Sequence, residues 1–328
     1  MNMKERKIRS RAHILSGSQD REFAAKVAGE LGLSLEDAKI TRFANTELKA
    51  EVPTVRGDHV FVIGSHAAPV NEAIMEQVAL INAANNASAR DITAVVPYRG
   101  YGRADRPDNS HESYMGPLVM RMLEAAGANR ILEVDPHSGQ SAGFLRDERD
   151  EYTPIPSYPA IQEYIANNFI REGDNVCIVS PDSGRAKLNR RYAEYFNRPR
   201  AIVDKIRSGT NKAEVMTVIG EVAGMHCIII DDMIDTGGTI VEGAGALKKR
   251  GAEKVTIIAT HGILSGPAIE RLSAAKRDGI IGTIAVTDTL RLPKDTPEGL
   301  IDVISVAPLV ATAIRNVFHE KSVSGGYQ

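Results

Sequence analysis

Short runs of apolar and β-branched residues recur along this chain, each followed by a stretch with helical spacing, and no other feature limits its fold so strongly. The runs include His59–Gly64 (HVFVIG), Asp91–Val96 (DITAVV), Arg130–Val134 (RILEV), Asn175–Ser180 (NVCIVS), Ala201–Asp204 (AIVD), His226–Asp231 (HCIIID) and Lys254–Thr260 (KVTIIAT). Several are apolar at nearly every position, which suits strands covered by helices on both faces rather than strands with one wet side. Helical spacing fills Asn71–Ala87, Gly116–Ala126, Tyr158–Phe169, Ala186–Phe196 and Thr239–Arg250. The last of these closes on Lys248, Lys249 and Arg250 ahead of Gly251, cations and a glycine where a helix C-terminus favours them. The alternation predicts an α/β protein with parallel sheets flanked by helices.

At 328 residues the chain is long enough for about two domains, each with its own core. Asp147–Pro159 (DERDEYTPIPSYP) is polar and then proline-rich, and it lies near the middle. Pro154, Pro156 and Pro159 donate no backbone hydrogen bond, so the segment reads as a crossover with the boundary near residue 150. The expected division is a mobile basic start over 1–12, domains over 13–150 and 151–318, and a tail over 319–328. Met1–Ala12 carries five Lys or Arg and leads into no apolar signal core. Forty Lys plus Arg against 42 Asp plus Glu leave a net charge of −2, which argues against a basic coat for nucleic acid or an anionic membrane. Trp is absent and aromatics are 5%, a poor basis for a base-stacking platform. No apolar run approaches the ~20 residues that span a bilayer. Cys177 and Cys227 sit inside apolar runs and are expected to be reduced core thiols. These readings predict a cytoplasmic protein with no nucleic-acid or membrane partner.

The sharpest local signal is Ile228–Thr239, IIIDDMIDTGGT. An apolar strand runs into Asp231 and Asp232, then into Asp235-Thr236-Gly237-Gly238-Thr239 and a helix. Glycines let backbone approach an oxyanion closely, a helix start presents N–H groups and a positive dipole end, and threonine hydroxyls add donors. Such a cup suits a phosphate monoester. Two acids at the strand end accept hydrogen bonds from vicinal hydroxyls, so phosphate plus diol reads as a ribose 5-phosphate unit.

DDMIDTGGT resembles the phosphoribosyl-diphosphate motif of the type I phosphoribosyltransferase fold, and in this spelling the ribose-phosphate pyrophosphokinases (PRPP synthetases) most closely. The similarity continues through Arg42–Glu47 (RFANTE), Val96-Pro97-Tyr98, Val134-Asp135-Pro136-His137, Ser180-Pro181-Asp182, Ile202-Val203-Asp204-Lys205 and Ala259-Thr260-His261. The resemblance implies two phosphoribosyltransferase-type domains and transfer of the β,γ-diphosphoryl group of ATP to the anomeric hydroxyl of ribose 5-phosphate, releasing AMP. Such chemistry is positioning and charge stabilisation rather than covalent catalysis.

By the same resemblance, Lys205 and Arg207 are the catalytic cations, opening a flexible loop over Ile206–Ala213 that closes on ATP. Asp231, Asp232, Asp235, Thr236, Gly237, Gly238 and Thr239 bind the ribose phosphate. Arg103, Asp105 and His137 bind ATP, and Phe43, Asn45 and Glu47 hold its adenine from a neighbouring subunit. That sharing implies a homo-oligomer, at least a dimer and commonly a hexamer. His137, Asp182 and Asp135 are the candidate Mg²⁺ ligands, a sparse set that suits an ion keeping several waters; no Cys/His spacing suits zinc.

Some positions depart from the family pattern. Arg99 stands where an aromatic residue is usual, Ala104 replaces a glutamine, Pro107 replaces a basic residue, and Ile206 lies between the two catalytic cations. Arg185 occupies a stretch that is normally glycine-rich. Ser110–Met115 differs from the usual Ser-Arg-Glu-Pro-Ile-Ser, while Ser322 and Ser324 bear a weak resemblance to part of the family's regulatory site. Arg99 and Arg185 each add a guanidinium, a bidentate phosphate partner, near a phosphate-handling cleft. Besides the active diphosphokinase, two further readings therefore stand. One is a diphosphokinase with a larger acceptor such as ADP-ribose; the other is an inactive regulatory subunit of a synthetase complex. A phosphoribosyltransferase using the same loop completes the set.

Overall fold

The computed structural model describes residues 8, 11–106, 110–147, 151–206 and 215–323. Arg207, Pro107, Asp108, Ser324 and most of the basic start lie outside the described residues, as does most of the expected catalytic loop. The chain divides into two compact units. One holds the chain up to Ser157 together with Thr289–Arg291 and the part from Val306 onward; the other holds Tyr158–Asp288 and Leu292–Ser305.

The first unit is built on a sheet of β1 (Ala12–Ser16), β4 (His59–Ile63), β5 (Asp91–Val96), β6 (Arg130–Val134) and β7 (Glu151–Ile155), in that order. Each neighbouring pair is parallel. Between β1 and β4 lie α1 (Arg21–Glu30) and an antiparallel hairpin of β2 (Lys39–Arg42) and β3 (Leu48–Glu51). Val60 and Val62 of β4 enter one apolar layer with Leu80 and Ile81 of α2 (Val70–Asn86) and Met120 and Leu123 of α3 (Met115–Ala126). Phe61 and Ile63 alternate with them and are also fully buried, so the strand is covered on both faces as its composition requires.

The second unit carries α4 (Tyr158–Phe169), β8 (Val176–Ser180), α5 (Ala186–Phe196), β9 (Arg200–Ile206), β10 (Val215–Ile219) and β11 (His226–Ile234). After them come α6 (Gly238–Lys249), β12 (Lys254–Gly262), α7 (Ala268–Arg277), β13 (Thr283–Thr287) and β14 (Asp302–Ile304). Its sheet runs β10-β9-β8-β11-β12-β13-β14, parallel except for β10 against β9. From β8 the chain winds outward to β9, whereas from β11 it winds the other way to β12. The order therefore reverses between β8 and β11, and in such open sheets ligands bind outside the carboxyl ends of the strands at that reversal. Within β11, Ile228 and Ile230 face a layer with Ile161, Ile165 and Tyr192, while Cys227 and Ile229 face one with Ala244, Leu247 and Leu272.

The division differs from the expected one at both ends. Glu151–Ile155 is not a crossover but the edge strand β7, in register with β6, with Pro154 opposite Glu133. An edge strand tolerates a proline because one side of its ladder needs no donor. The terminal helix α8 (Ala307–Phe318) belongs to the first unit, where Arg315 donates to the Glu30 carbonyl at the end of α1 at 2.9 Å. Cys177 and Cys227 are free, fully buried and register partners on β8 and β11. A hydrogen bond with Cys177 and burial together push the Cys227 thiol up. Neither thiol is therefore expected to react with an aromatic disulfide reagent in the native protein, and both are expected to react on unfolding; rapid native labelling would contradict this placement.

Candidate functional site

Strand β11 continues past Asp231 to Ile234, so Asp231 and Asp232 lie within the strand, just before its end, rather than in the loop. Asp235, Thr236 and Gly237 then turn the chain into α6. Gly237 has φ of 75°, while a Cβ built there would lie an ordinary 3.6 Å from the Ala268 backbone. The left-handed conformation, not crowding, calls for glycine. The loop is pinned from β12's side: the Leu264 and Ser265 N–H groups donate to the Ile234 and Asp235 carbonyls, both at 3.0 Å. Arg271 Nη1 donates to the Thr236 carbonyl at 3.1 Å. No side chain caps α6, a trait shared with other helices here. What sets this helix start apart is its place at the sheet reversal beside two acids.

Those acids are not equivalent. Asp232 is buried and forms an ion pair with Arg185 Nη2. The Asp232 N–H donates to Asp231 Oδ1 at 2.8 Å. Burial first, and Asp232 second, hold the Asp231 carboxyl well above the usual carboxylate range, with Arg185 pulling the other way. Asp182 lies at the end of β8, exposed, its Oδ1 accepting the Arg185 N–H at 2.8 Å. Asn189 Nδ2 joins the two strand ends by donating to the Ile230 carbonyl at 3.0 Å and to Ser180 Oγ at 3.2 Å. The expected Asp182 and Asp231–Thr239 thus meet at one end of one sheet, together with Arg185, which the sequence places near a phosphate-handling cleft, and Asn189, which no motif marked.

In the first unit, the loop after β5 carries Arg103, exposed, and Asp105, half-buried. Its backbone rests on a buried histidine that no motif marked. The Gly100 N–H donates to His66 Nδ1 at 3.1 Å, so the imidazole proton sits on Nε2 and is given to Gln77 Oε1 at 2.9 Å. Gln77 Nε2 in turn donates to the Val62 and Val95 carbonyls at 3.0 and 3.2 Å. Complete burial brings the His66 pKa down to about 4, leaving it neutral in this role. A glutamine inside the apolar stretch Ile74–Ile81 was the available signal.

Arg99 is a correction. It does not add a guanidinium to a phosphate cleft but is 2% exposed beneath the loop. Its Nε donates to Glu133 Oε2 at 2.9 Å, Nη2 to Ser141 Oγ at 2.8 Å and Nη1 to the Gly116 carbonyl at 3.4 Å. Glu133 also accepts the Tyr152 hydroxyl at 2.9 Å. The lone acid in the strand Arg130–Val134 was the readable hint.

Asp135 has φ of 37° and accepts the Ser157 N–H at 3.1 Å as well as the Ser157 hydroxyl, while His137 beyond it is exposed. Phe43, Asn45 and Glu47 occupy the tip of the β2–β3 hairpin. There the Phe43 N–H donates to the Glu47 carbonyl at 2.8 Å and the Glu47 N–H to Asn45 Oδ1 at 3.2 Å. Phe43 is 51% exposed. The hairpin is rooted through Arg42, which pairs with Glu72 and, at 2.7 Å, with the buried Glu76. Among the described residues, no three His, Cys, Asp or Glu gather as a metal cage. His137 and Asp135 belong to the first unit and Asp182 to the second. No helix among the described residues is long and apolar enough to cross a membrane.

Residues 12–127 match the N-terminal domain of ribose phosphate pyrophosphokinase, and residues 175–328 match the phosphoribosyl synthetase-associated domain. The chain is 40% identical over 312 residues to a ribose-phosphate pyrophosphokinase of Clostridium tetani, with 95% of each chain covered. It is 41% identical over 312 residues to that of Caldanaerobacter subterraneus subsp. tengcongensis, covering 95% of this chain and 96% of the relative. A crystal structure of phosphoribosylpyrophosphate synthetase from Mycobacterium smegmatis shares 36% identity and a TM-score of 0.86, over 94% of this chain and 99% of that one. An α/β chain with a Gly-Gly turn behind paired acids at a sheet reversal, and with these family matches over most of its length, is of the phosphoribosyl-handling class. This chain belongs to the ribose-phosphate pyrophosphokinase family.

Breaking the buried Arg99–Glu133 pair on one side leaves an uncompensated charge in the core. Glu133→Ala is expected to lower unfolding free energy by about 3–5 kcal/mol in urea titrations, and Arg99→Leu with Glu133→Leu to recover much of it. A single-mutant loss below about 1 kcal/mol, the size of a surface pair, would contradict the burial argument.

Proposed function

We propose that the protein transfers the β,γ-diphosphoryl group of ATP to the anomeric hydroxyl of ribose 5-phosphate, giving 5-phosphoribosyl 1-diphosphate and AMP. The observation that carries this reading is the left-handed Gly237 turn, which opens α6 behind Asp231 and Asp232 at the sheet reversal of a ribose-phosphate pyrophosphokinase chain.

In this reading the backbone N–H groups and hydroxyls over Asp235–Thr239 take the 5-phosphate, and Asp231 and Asp232 accept the ribose hydroxyls. The anomeric oxygen attacks the β-phosphorus of ATP and forms the new O–P bond. The bond to the α,β-bridging oxygen breaks, AMP leaves with that electron pair, and the hydroxyl proton passes to solvent. Lys205 and Arg207 offset charge that builds on the oxygens around the β-phosphorus. Arg103, Asp105 and His137 hold the triphosphate, and a neighbouring copy's Phe43, Asn45 and Glu47 hold adenine, so the working form is a homo-oligomer of at least two chains. The half-exposed Phe43 at a rooted hairpin tip supports that sharing.

Mg²⁺, when bound with ATP, neutralises phosphate charge. The exposed His137 of the first unit and the exposed Asp182 of the second are each candidate ligands for an ion that keeps most of its waters. Asp135 is the weaker candidate because Ser157 occupies its carboxylate. The composition and the family together support a cytoplasmic enzyme. The larger-acceptor reading loses half its basis with Arg99 buried on Glu133. The regulatory reading sits poorly with an intact Asp-Thr-Gly-Gly-Thr turn.

Purified protein with MgATP and ribose 5-phosphate is expected to release AMP and 5-phosphoribosyl 1-diphosphate, with no AMP from ADP-ribose. AMP from ADP-ribose alone, or from neither acceptor, would overturn the proposal. Lys205→Ala is expected to keep the native circular dichroism spectrum and lose turnover by roughly two or more orders of magnitude, the scale of losing one charge stabiliser; near-normal kcat would remove Lys205 from the mechanism.

A further inference from the structure

Arg185 belongs to no recognised motif, yet it is the guanidinium that the second unit places on the acceptor acids. We infer that it is a positioning residue for the acceptor, acting through Asp232, an inference that rests on the proposed diphosphoryl transfer to ribose 5-phosphate. The root of the side chain is rigidly held. The Arg185 N–H donates to Asp182 Oδ1 at 2.8 Å, and its carbonyl accepts from the Asn189 N–H at 3.1 Å and from Asn189 Nδ2 at 3.3 Å. Asn189 is itself tied to the Ile230 carbonyl one residue before the acids, so the arm and its target share one frame. From that root Nη2 reaches Asp232 Oδ2, with the Arg185 side chain 20% and the Asp232 side chain 7% exposed.

The physical need is plain. A carboxylate this buried, with a second carboxyl on the preceding residue, is stabilised and oriented by a cation within hydrogen-bond reach. Without Arg185, Asp232 would lose that partner and the orientation it imposes. That change loosens the acceptor a sugar hydroxyl meets, while leaving the ATP-holding residues of the first unit unaltered. Arginine suits the task better than lysine: its planar fork fixes the carboxylate's orientation as well as its charge. Arg185 thus sets how tightly the diol is held.

Steady-state kinetics of the full chain test this. Arg185→Ala is expected to raise KM for ribose 5-phosphate about tenfold or more, the effect of one lost charge-assisted hydrogen bond, with KM for ATP within about twofold. Arg185→Lys is expected to recover part of the loss, and to carry the test if the alanine variant does not fold. In a cycle with Asp232→Asn, the alanine substitution should add little to the loss that Asp232→Asn already causes. Equal changes in both KM values, an unchanged KM for ribose 5-phosphate, or full additivity with Asp232→Asn would overturn the inference. An inactive wild-type protein would instead sink the proposed reaction itself, so the two failures are distinguishable.

Discussion

Along β11 the side chains alternate between two apolar layers, so the first polar side chains its interior leaves to a ligand are Asp231 and Asp232 near its carboxyl end. Everything proposed for the second unit hangs on that constraint. Burial on both faces demands apolar residues up to Ile230, and the reversal of strand order beside β8 opens the sheet at the point where the acids emerge. Placing two carboxyls there is costly, which is why Asp231 resists ionisation and Asp232 sits against Arg185. The same desolvation would make the proposed hydrogen bonds to a sugar stronger than they would be in water.

The first unit solves a different problem, holding polar loops at the ends of buried strands. It does so with small, fully partnered polar networks under the loops: His66 with Gln77 and Gly100, Arg99 with Glu133 and Ser141, and Arg42 with Glu76 and Glu72. Buried networks such as the first two are costly if half satisfied and rigidifying when complete. Their placement beneath the loop of Arg103 and at the root of the Phe43 hairpin ties core chemistry to the elements proposed to meet ATP.

Much of this was legible in the residues. Strand runs such as HVFVIG and KVTIIAT appear as β4 and β12, because doubly covered strands carry an apolar signature that little else imitates. The Asp-Thr-Gly-Gly-Thr turn appears where its glycines demand it. Misreadings arose where a residue's meaning depends on distant partners. Pro154 read as a crossover signal until β6 paired alongside it, and Arg99 read as a phosphate ligand although Glu133, far along the chain, claims it. The helix Ala307–Phe318 carried no mark of returning to the first unit, since that choice is made by the surface of α1. His66 and Gln77 escaped notice for the same reason: each is an unremarkable polar residue until the fold brings Gly100 over them.

The most direct test of the central claim is a crystal structure of the protein with ribose 5-phosphate bound. The account predicts the 5-phosphate at hydrogen-bond distance from the backbone N–H groups over Thr236–Thr239, with ribose hydroxyls on Asp231 and Asp232. A phosphate bound elsewhere, with this helix start left to solvent, would contradict it.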